Sequence, residues 1–345
     1  MSPTVTPSDS VACTVCIANY NGTGLIDACI ESVQAQICDF SFEIIVHDDA
    51  STDDSVEHIA ARHPDVQLMA SRENVGFCIA NNRLAAAARG EFLLLLNNDA
   101  TLLPGALDAL MHEAARLQQP AILTLPQYDD GTGELLDVGS LLDPFLNPVP
   151  NRDAARNDVA MVAGACLWLP KRLWDELGGF PDWFGSIGED LYLCCRARLS
   201  GYPVRALGTS GYRHRVGQSF GGGKVCAGRL VSTFRRRALS ERNKTFVIAM
   251  ACPSPAVIVL LPLHLLLLLL EGALLAALNG RWAYLSDIYL PVIPALLQHR
   301  REIRRRRRDI MAARRIGAMR FFSAFTFLPR KLRMLYRHGL PRVNR

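Results

Sequence analysis

The chain has 345 residues, half of them hydrophobic, with ordinary glycine and proline content and a formal net charge of +5. This composition excludes collagen-like, fibrous and intrinsically disordered classes, and the length suffices for a sizeable core. The charge is sorted along the chain: residues 1–230 carry 16 Lys/Arg against 28 Asp/Glu, whereas residues 231–345 carry 22 against 5. An acidic body followed by a basic, apolar stretch predicts a soluble catalytic or binding domain tied to something anionic.

Residues 1–10 have neither the basic nor the apolar region of a secretory signal and are expected to be disordered. The first 125 residues then alternate short apolar runs with helical patterns. Strands are predicted at Val11–Ala18, Phe42–His47, Val66–Ala70, Glu91–Leu96 and Ala121–Leu125. Helices are predicted between them, at Gly24–Gln36, Thr52–Arg62, Val75–Arg89 and Pro104–Leu117. Repeated β-α-β units predict a Rossmann-like α/β fold, a mostly parallel sheet with helices on both faces. Residues 127–158, rich in Asp, Pro, Asn and Gly, read as an irregular insertion acting as a lid or substrate-shaping segment. A strand over Val159–Leu169 and a short helix from Pro170 follow. Gly178–Phe184 reads as a turn with exposed aromatics, Trp183 and Phe184, which either stack on a ligand or fill the core beneath the turn. Glu189 and Asp190 open a helix over Leu191–Leu199, and Tyr202–Leu207 returns as a strand before Arg213-His214-Arg215.

Ten cysteines without regular spacing do not predict a disulfide framework, and a reducing cytosol is expected. Cys13 and Cys16 form a C-x-x-C inside an apolar strand, where positions three apart point to opposite faces. Packed thiols are therefore expected there, as at Cys194-Cys195, rather than a redox or metal pair.

Ligands of parallel sheets bind beyond the carboxyl ends of the strands. Each such end is polar here: Asn19-Tyr20-Asn21-Gly22, His47-Asp48-Asp49-Ala50-Ser51, Ser71-Arg72-Glu73-Asn74-Val75-Gly76 and Asn97-Asn98-Asp99. Loops and helix caps favour these residue types on their own account. Four such loops at one sheet edge, with several carboxylates, nevertheless define a candidate site.

The motifs run in order through Ile17–Gly22, Ile45–Asp53, Glu73–Phe77 with Asn81-Asn82, and Arg89–Asp99. They continue through Gly178-Gly179-Phe180 and Gly188–Leu193 with Arg196, and close on His214 and Ser219. This set resembles the family 2 glycosyltransferases of GT-A fold, and more narrowly their bacterial rhamnosyltransferase-like branch. The resemblance covers roughly residues 11–245. It implies an inverting enzyme that moves a sugar from dTDP-rhamnose or a UDP-sugar to a hydroxyl of a cell-surface glycan or lipid-linked oligosaccharide.

On that resemblance, Asp48 or Asp49 accepts a hydrogen bond from a pyrimidine N–H, while Asn19, Tyr20 and Asn21 reach base or ribose. Arg72 faces the diphosphate, fixes its loop or forms a surface salt bridge. Asn74, Gly76, Asn81, Asn97 and Asn98 complete the donor site. Asp99 is the expected ligand of Mg²⁺ or Mn²⁺, with His214 completing the coordination or touching the diphosphate. Asn97 stands where the family often has the first carboxylate of an Asp-x-Asp pair, so the site rests on fewer anionic ligands. Asp190 is the expected base for an in-line displacement. Glu189 either helps to orient it or favours the helix start through the dipole.

Pro255–Leu278 is almost wholly apolar and long enough to cross a bilayer. Pro262, His264 and Glu271 interrupt it, and basic residues flank it on both sides, so a single crossing would put one basic flank outside. With a second apolar segment, Trp282–Leu297, it predicts a re-entrant hairpin or interfacial elements through 255–297. Either keeps Arg304–Arg308 near the anionic inner leaflet, at the cytoplasmic face of the membrane. A helical domain packed on the catalytic core is the alternative, and lipid is favoured over nucleic acid as the anionic partner. The expected organisation is a catalytic domain over 11–245, an apolar membrane-associated segment over 246–299 and a basic tail over 300–345. Two rival functions are a nucleotidyltransferase, disfavoured by the lack of Lys or Arg in Asn19–Gly24, and a catalytically inactive membrane-attached binding module, suggested by Asn97.

Overall fold

The computed structural model describes residues 11–215, 217, 222–226 and 229–344, so the expected disorder of residues 1–10 and the motif residue Ser219 lie outside the described residues. The strands are β1 (Cys13–Asn19), β2 (Phe42–Asp48), β3 (Gln67–Ala70), β4 (Phe92–Asn97), β5 (Ala100–Leu102), β6 (Ile122–Thr124), β7 (Gln127–Asp129), β8 (Leu135–Asp137), β9 (Ser140–Leu142), β10 (Pro148–Pro150), β11 (Cys166–Pro170), β12 (Val204–Ala206), β13 (Tyr212–His214), β14 (Gly222–Cys226), β15 (Arg229–Thr233) and β16 (Arg342–Asn344). The helices are α1 (Ile26–Gln34), α2 (Ser55–Arg62), α3 (Phe77–Ala87), α4 (Ala106–Leu117), α5 (Lys171–Leu177), α6 (Glu189–Leu199), α7 (Phe234–Ala251), α8 (Ala256–Asn279), α9 (Val292–Gln298), α10 (Arg300–Ala312), α11 (Ala318–Phe322) and α12 (Arg330–His338).

Seven strands form the central sheet in the order β12-β6-β11-β4-β1-β2-β3. All neighbours run parallel except β11, which is antiparallel to both β4 and β6. The central strands are buried on both faces, which is why β1 and β4 read as continuous apolar runs. Cys13, Val15 and Ile17 pack with α1 and α4, whereas Cys16 packs on the other face with α3 and α6. The two cysteines of the C-x-x-C are therefore free, buried and on opposite sides of the sheet, as strand periodicity requires.

Three expectations need correction. The strand expected over Val159–Leu169 begins only at Cys166, because Val159 bonds to β12 and Ala160 and Met161 to β9, and the turn that follows brings the Gly164 amide to Asp190. The insertion at 127–158 is built of four short strands, β7–β10. Its turns are anchored by carboxylate acceptors: half-buried Asp137 takes Ser140 Oγ and the Asn151 amide, and buried Asp143 takes the amides of Phe145 and Asn147. The expected boundary at 245 falls inside a helix. Helix α7 runs through 245, and its second half, Phe246–Ala251, is buried in the catalytic core.

The basic stretch also folds back. On α10, Arg306 donates to the Tyr192 hydroxyl at 3.1 Å and Arg307 to the Cys252 carbonyl at 2.7 Å, leaving Arg304, Arg305 and Arg308 exposed. Strand β16 pairs in parallel with β15, returning the end of the chain to the start of α7. Helix α8 buries Leu268, Gly272 and Leu275, and a Cβ on Gly272 would meet Tyr289 and Leu285 at 2.7 Å. Its other face, with Leu266, Leu270, Leu274 and Leu278, is exposed.

Candidate active site

Strand register assembles the first part of the site. In the four-stranded sheet β5-β13-β7-β8, His214 lies opposite Ala100, and the Arg215 amide donates to the Asp99 carbonyl at 3.1 Å. His214 Nε2 consequently sits 3.0 Å from Asp99 Oδ1. That buried oxygen has no hydrogen-bond donor, so the two atoms face each other at ion-pair distance without hydrogen-bond geometry. The other ring nitrogen, Nδ1, accepts from the Gln127 side-chain amide at 3.1 Å, and that amide's oxygen accepts from the Tyr212 hydroxyl at 3.1 Å, which fixes the ring's orientation. The orphaned carboxylate oxygen of Asp99, buried at the cleft and without a donor, fits the anionic ligand that a divalent cation such as Mg²⁺ or Mn²⁺ would take, with His214 beside it. Among the described residues, no cluster of three or more His, Cys, Asp or Glu side chains is arranged around a metal.

The strand-end loops are cross-tied. Asn98 Nδ2 donates to Asn19 Oδ1 at 2.7 Å, and Asn19 Nδ2 donates to Asp48 Oδ2 at 2.8 Å. The ends of β4, β1 and β2 thus form one polar chain, and Asp48, also bonded to Ser51, is fully buried behind it. A Cβ on Gly22 would lie 2.1 Å from Asn19 Oδ1, so only glycine fits beside this chain. Asp49 accepts the amides of Val75 and Gly76 at 2.7 and 2.8 Å, which sets the loop carrying Asn74. Gly76 has a φ of 86°, the left-handed region that glycine adopts freely.

Opposite these loops, α6 begins with the acidic pair. Asp190 accepts the Gly164 amide at 3.2 Å and its own helix's Leu191 amide at 2.7 Å. Glu189 is buried and its Oε2 has no partner. Burial, and secondarily the neighbouring Asp190 charge, pushes Glu189 up to about 8; burial likewise raises Asp190, while Arg236 pulls both down. The preceding loop is held by a residue that sequence patterning did not single out. Asn243 of α7 donates through Nδ2 to the carbonyls of Phe184, Ser186 and Ile187 at 3.1, 3.0 and 2.7 Å. Ile187 has a φ of 69°, a strained conformation for a β-branched residue that these bonds maintain.

Two measurable consequences follow from this loop. Asn243→Ala is expected to lower stability by roughly 2–4 kcal/mol, since it strands buried carbonyls, and to reduce any turnover more than donor affinity; thermal melts and donor titrations check it. Glu189 contributes stability at low pH that is lost as pH rises from the ordinary carboxyl range through about 8. Glu189→Gln should therefore flatten the fall in melting temperature over that window and exceed the wild type at its alkaline end. An unchanged slope would exclude the burial of a protonated Glu189.

A single cleft of ≈1470 Å³ connects the two halves. Of the expected site residues, Asn19, Tyr20, Asn21, Asp49, Asn74, Gly76, Asn97, Asn98, Asp99, Glu189, Asp190 and His214 line it. Asp48 braces it from behind. Arg72 is exposed and does not line the cleft, and Asn81 is buried within α3, donating to the Phe77 carbonyl. Its neighbour Asn82 instead ties down the following turn, exchanging hydrogen bonds with the Phe180 backbone at 2.9 and 3.0 Å. In that turn Phe184 is fully buried rather than exposed, whereas Trp183, stacked on His299 with ring centroids 4.5 Å apart, is half-buried and lines the cleft. Arg236, half-buried in the cleft wall, is a further residue that the sequence did not distinguish from its arginine neighbours.

The sheet order and strand-end cleft define a GT-A-type α/β fold. Solved structures share it: GalNAc-T7 with UDP, GalNAc and Mn²⁺ (TM-score 0.56, 15% identity, 72% of this chain and 49% of that one) and S. aureus TarS 1-349 (TM-score 0.54, 16% identity, 88% and 91%). Residues 14–176 match the model of Glycosyl transferase family 2. It is also similar to the N-acetylglucosaminyl-diphospho-decaprenol L-rhamnosyltransferase of Mycobacterium tuberculosis, 25% identical over 190 residues that make up 46% of this chain and 62% of that protein. The chain spans between 23% and 33% of the length of the first curated relatives it matches.

Proposed function

We propose that the chain is an inverting glycosyltransferase that moves a sugar from a nucleotide-sugar donor, dTDP-rhamnose or a UDP-sugar, to a hydroxyl of a cell-surface glycan or lipid-linked acceptor. The observation that carries this reading is one cleft with the Asp99–His214 pair at the strand ends and the Glu189-Asp190 pair facing them. The donor's nucleoside lies along Asn19–Asn21 and the Asn74 loop, which Asp48 and Asp49 hold in shape. Asp190 removes the proton from the acceptor hydroxyl on the face opposite the leaving group. Glu189 and Arg236 adjust the charge around it. Asp99 and His214 would hold a Mg²⁺ or Mn²⁺ ion, which stabilises the negative charge left on the nucleoside diphosphate.

Purified protein incubated with labelled nucleotide-sugars, with and without Mn²⁺, tests the reading. Sugar transfer or slow donor hydrolysis is expected. Donor binding with no turnover would favour the inactive binding module instead.

The exposed leucine face of α8 supports attachment at the cytoplasmic face of the membrane. Helix α8 is long and apolar enough to span, but Glu271 near its middle pairs with Arg237 and Lys331 of the helices beside it. A helix braced along its length favours a monotopic position over a lone crossing. Membranes washed in high salt should retain the protein, whereas release by salt alone would leave only electrostatic attachment.

A further inference from the structure

Helix α12 is amphipathic in the reverse sense to the surface helix of a folded domain. Leu332, Leu335 and Tyr336 stand three and four positions apart and share one face, and all three are exposed, Tyr336 at 93%. No residue of the helix is buried. Its ties to the body are polar instead. Lys331 reaches Glu241 and Glu271 at 2.6 Å each, the Arg330 amide donates to Asp143 at 2.8 Å, and the Arg330 side chain bonds the Pro148 carbonyl. Charge is turned inward and the apolar face outward. Just before the helix, Phe327 is 96% exposed, and Leu328 beside it is exposed too.

The same helix is a wall of the catalytic cleft. Pro329, Arg330 and Lys331 line it, and the rim at this end is made by Leu270 and Leu274 of α8 with Leu332 and Leu335, all exposed. This rim makes α12 continuous with the exposed leucine face of α8. What covers such a surface must be apolar and anionic at once. Beyond Asp309 the chain carries nine Lys/Arg and no Asp or Glu, so a second copy would set arginine against arginine. An anionic bilayer takes leucine and aromatic side chains into its surface while arginines reach its headgroups.

Resting on the membrane-attached glycosyltransferase reading above, we propose that α12 is a bilayer-operated gate of the cleft: the face of Leu332, Leu335 and Tyr336, with Phe327 and Leu328, enters an anionic lipid surface, and this engagement raises turnover. Attachment through α8 fixes where the chain sits, whereas α12 sets how open the cleft is. The helix is bracketed by Pro329 and by Gly339, whose φ of 67° lies in the left-handed region, and such end positions absorb a change of direction. The ties of Arg330 and Lys331 are in the first turn, which is the pivot. In water the apolar face has no cover, and those ties hold the helix against the cleft. On the bilayer the face gains burial, and the balance shifts toward a wider groove between α8 and α12.

The test measures hydrolysis of labelled dTDP-rhamnose and UDP-sugars by the full chain in three states: alone, with phosphatidylcholine vesicles, and with vesicles containing about one-third phosphatidylglycerol. Hydrogen exchange of residues 327–338 is followed on the same samples. The anionic vesicles are expected to raise hydrolysis about tenfold and to slow exchange over 327–338. The double variant Phe327→Ser/Tyr336→Ser should lose both responses yet still sediment with the vesicles through α8. Neither side chain lines the cleft and both are almost wholly exposed, so the variant is expected to fold and to keep the basal rate. Wild type that sediments with vesicles without faster hydrolysis, or a variant that keeps the stimulation, would overturn the gate. Absence of hydrolysis in every sample, with exchange slowed as expected, sinks the glycosyltransferase reading alone. Exchange that the anionic vesicles leave unchanged sinks the docking of α12.

Discussion

Asp190→Asn is expected to lower sugar transfer by about three orders of magnitude while leaving nucleotide-sugar binding unchanged. The amide keeps the size of the carboxylate and can still accept the Gly164 amide through its oxygen, so the loop at 159–165 should hold its course. What it loses is the ability to take a proton. The wild-type base must be ionised to work, and burial raises its pKa, so activity should climb with pH along an acid limb and the variant should lack that limb. Glu189→Gln is the matched control, because Glu189 lines the cleft but is almost wholly buried beside Asp190, and it should alter the position of the limb more than its height. Transfer at a near-normal rate by Asp190→Asn would remove this carboxylate from the role of base and direct attention to Glu189.

The second large effect is expected at Asp99. Asp99→Ala should reduce transfer by about 10²–10³-fold and abolish the Mn²⁺-dependent part of the donor's thermal shift, the range associated with losing one stabiliser of a developing negative charge. His214→Ala should do less, since the remaining carboxylate still supplies the anionic ligand. The two substitutions should be strongly non-additive, because His214 Nε2 and Asp99 Oδ1 are only 3.0 Å apart and would act on one ion. Equal Mn²⁺ response in wild type and Asp99→Ala would mean that this pair holds no cation. A purely structural ion pair would instead show itself as lost stability with the metal response intact.

Much of the catalytic half was legible in the chain. The alternation of apolar strands and amphipathic helices reports burial directly, and in an α/β sheet the polar residues just after the strands have only one edge on which to gather. Asn19, Asp49, Asn74 and Asn98 could therefore be assigned to one site. Other parts were not legible because they depend on contacts distant in sequence. Arg72 and Asn81 carry suitable chemistry in suitable motifs, yet one side chain points to solvent and the other packs inside α3. Asn243 sits in a run of arginines and helix formers, and nothing local reveals that its amide holds a loop more than fifty residues earlier.

The opening charge imbalance illustrates the same division. Composition alone determined that an acidic α/β domain is followed by a basic, apolar region, because charge and hydropathy are properties of each residue. Whether that region trails as a tail or folds back is set by long-range pairing, and only the tertiary structure decided it. Strand β16 docks on β15, Arg306 and Arg307 cap groups of the catalytic core, and Lys331 joins Glu241 and Glu271. These contacts turn part of the basic excess inward and align the first turn of α7 with the acidic pair, a juxtaposition that no stretch of sequence contains.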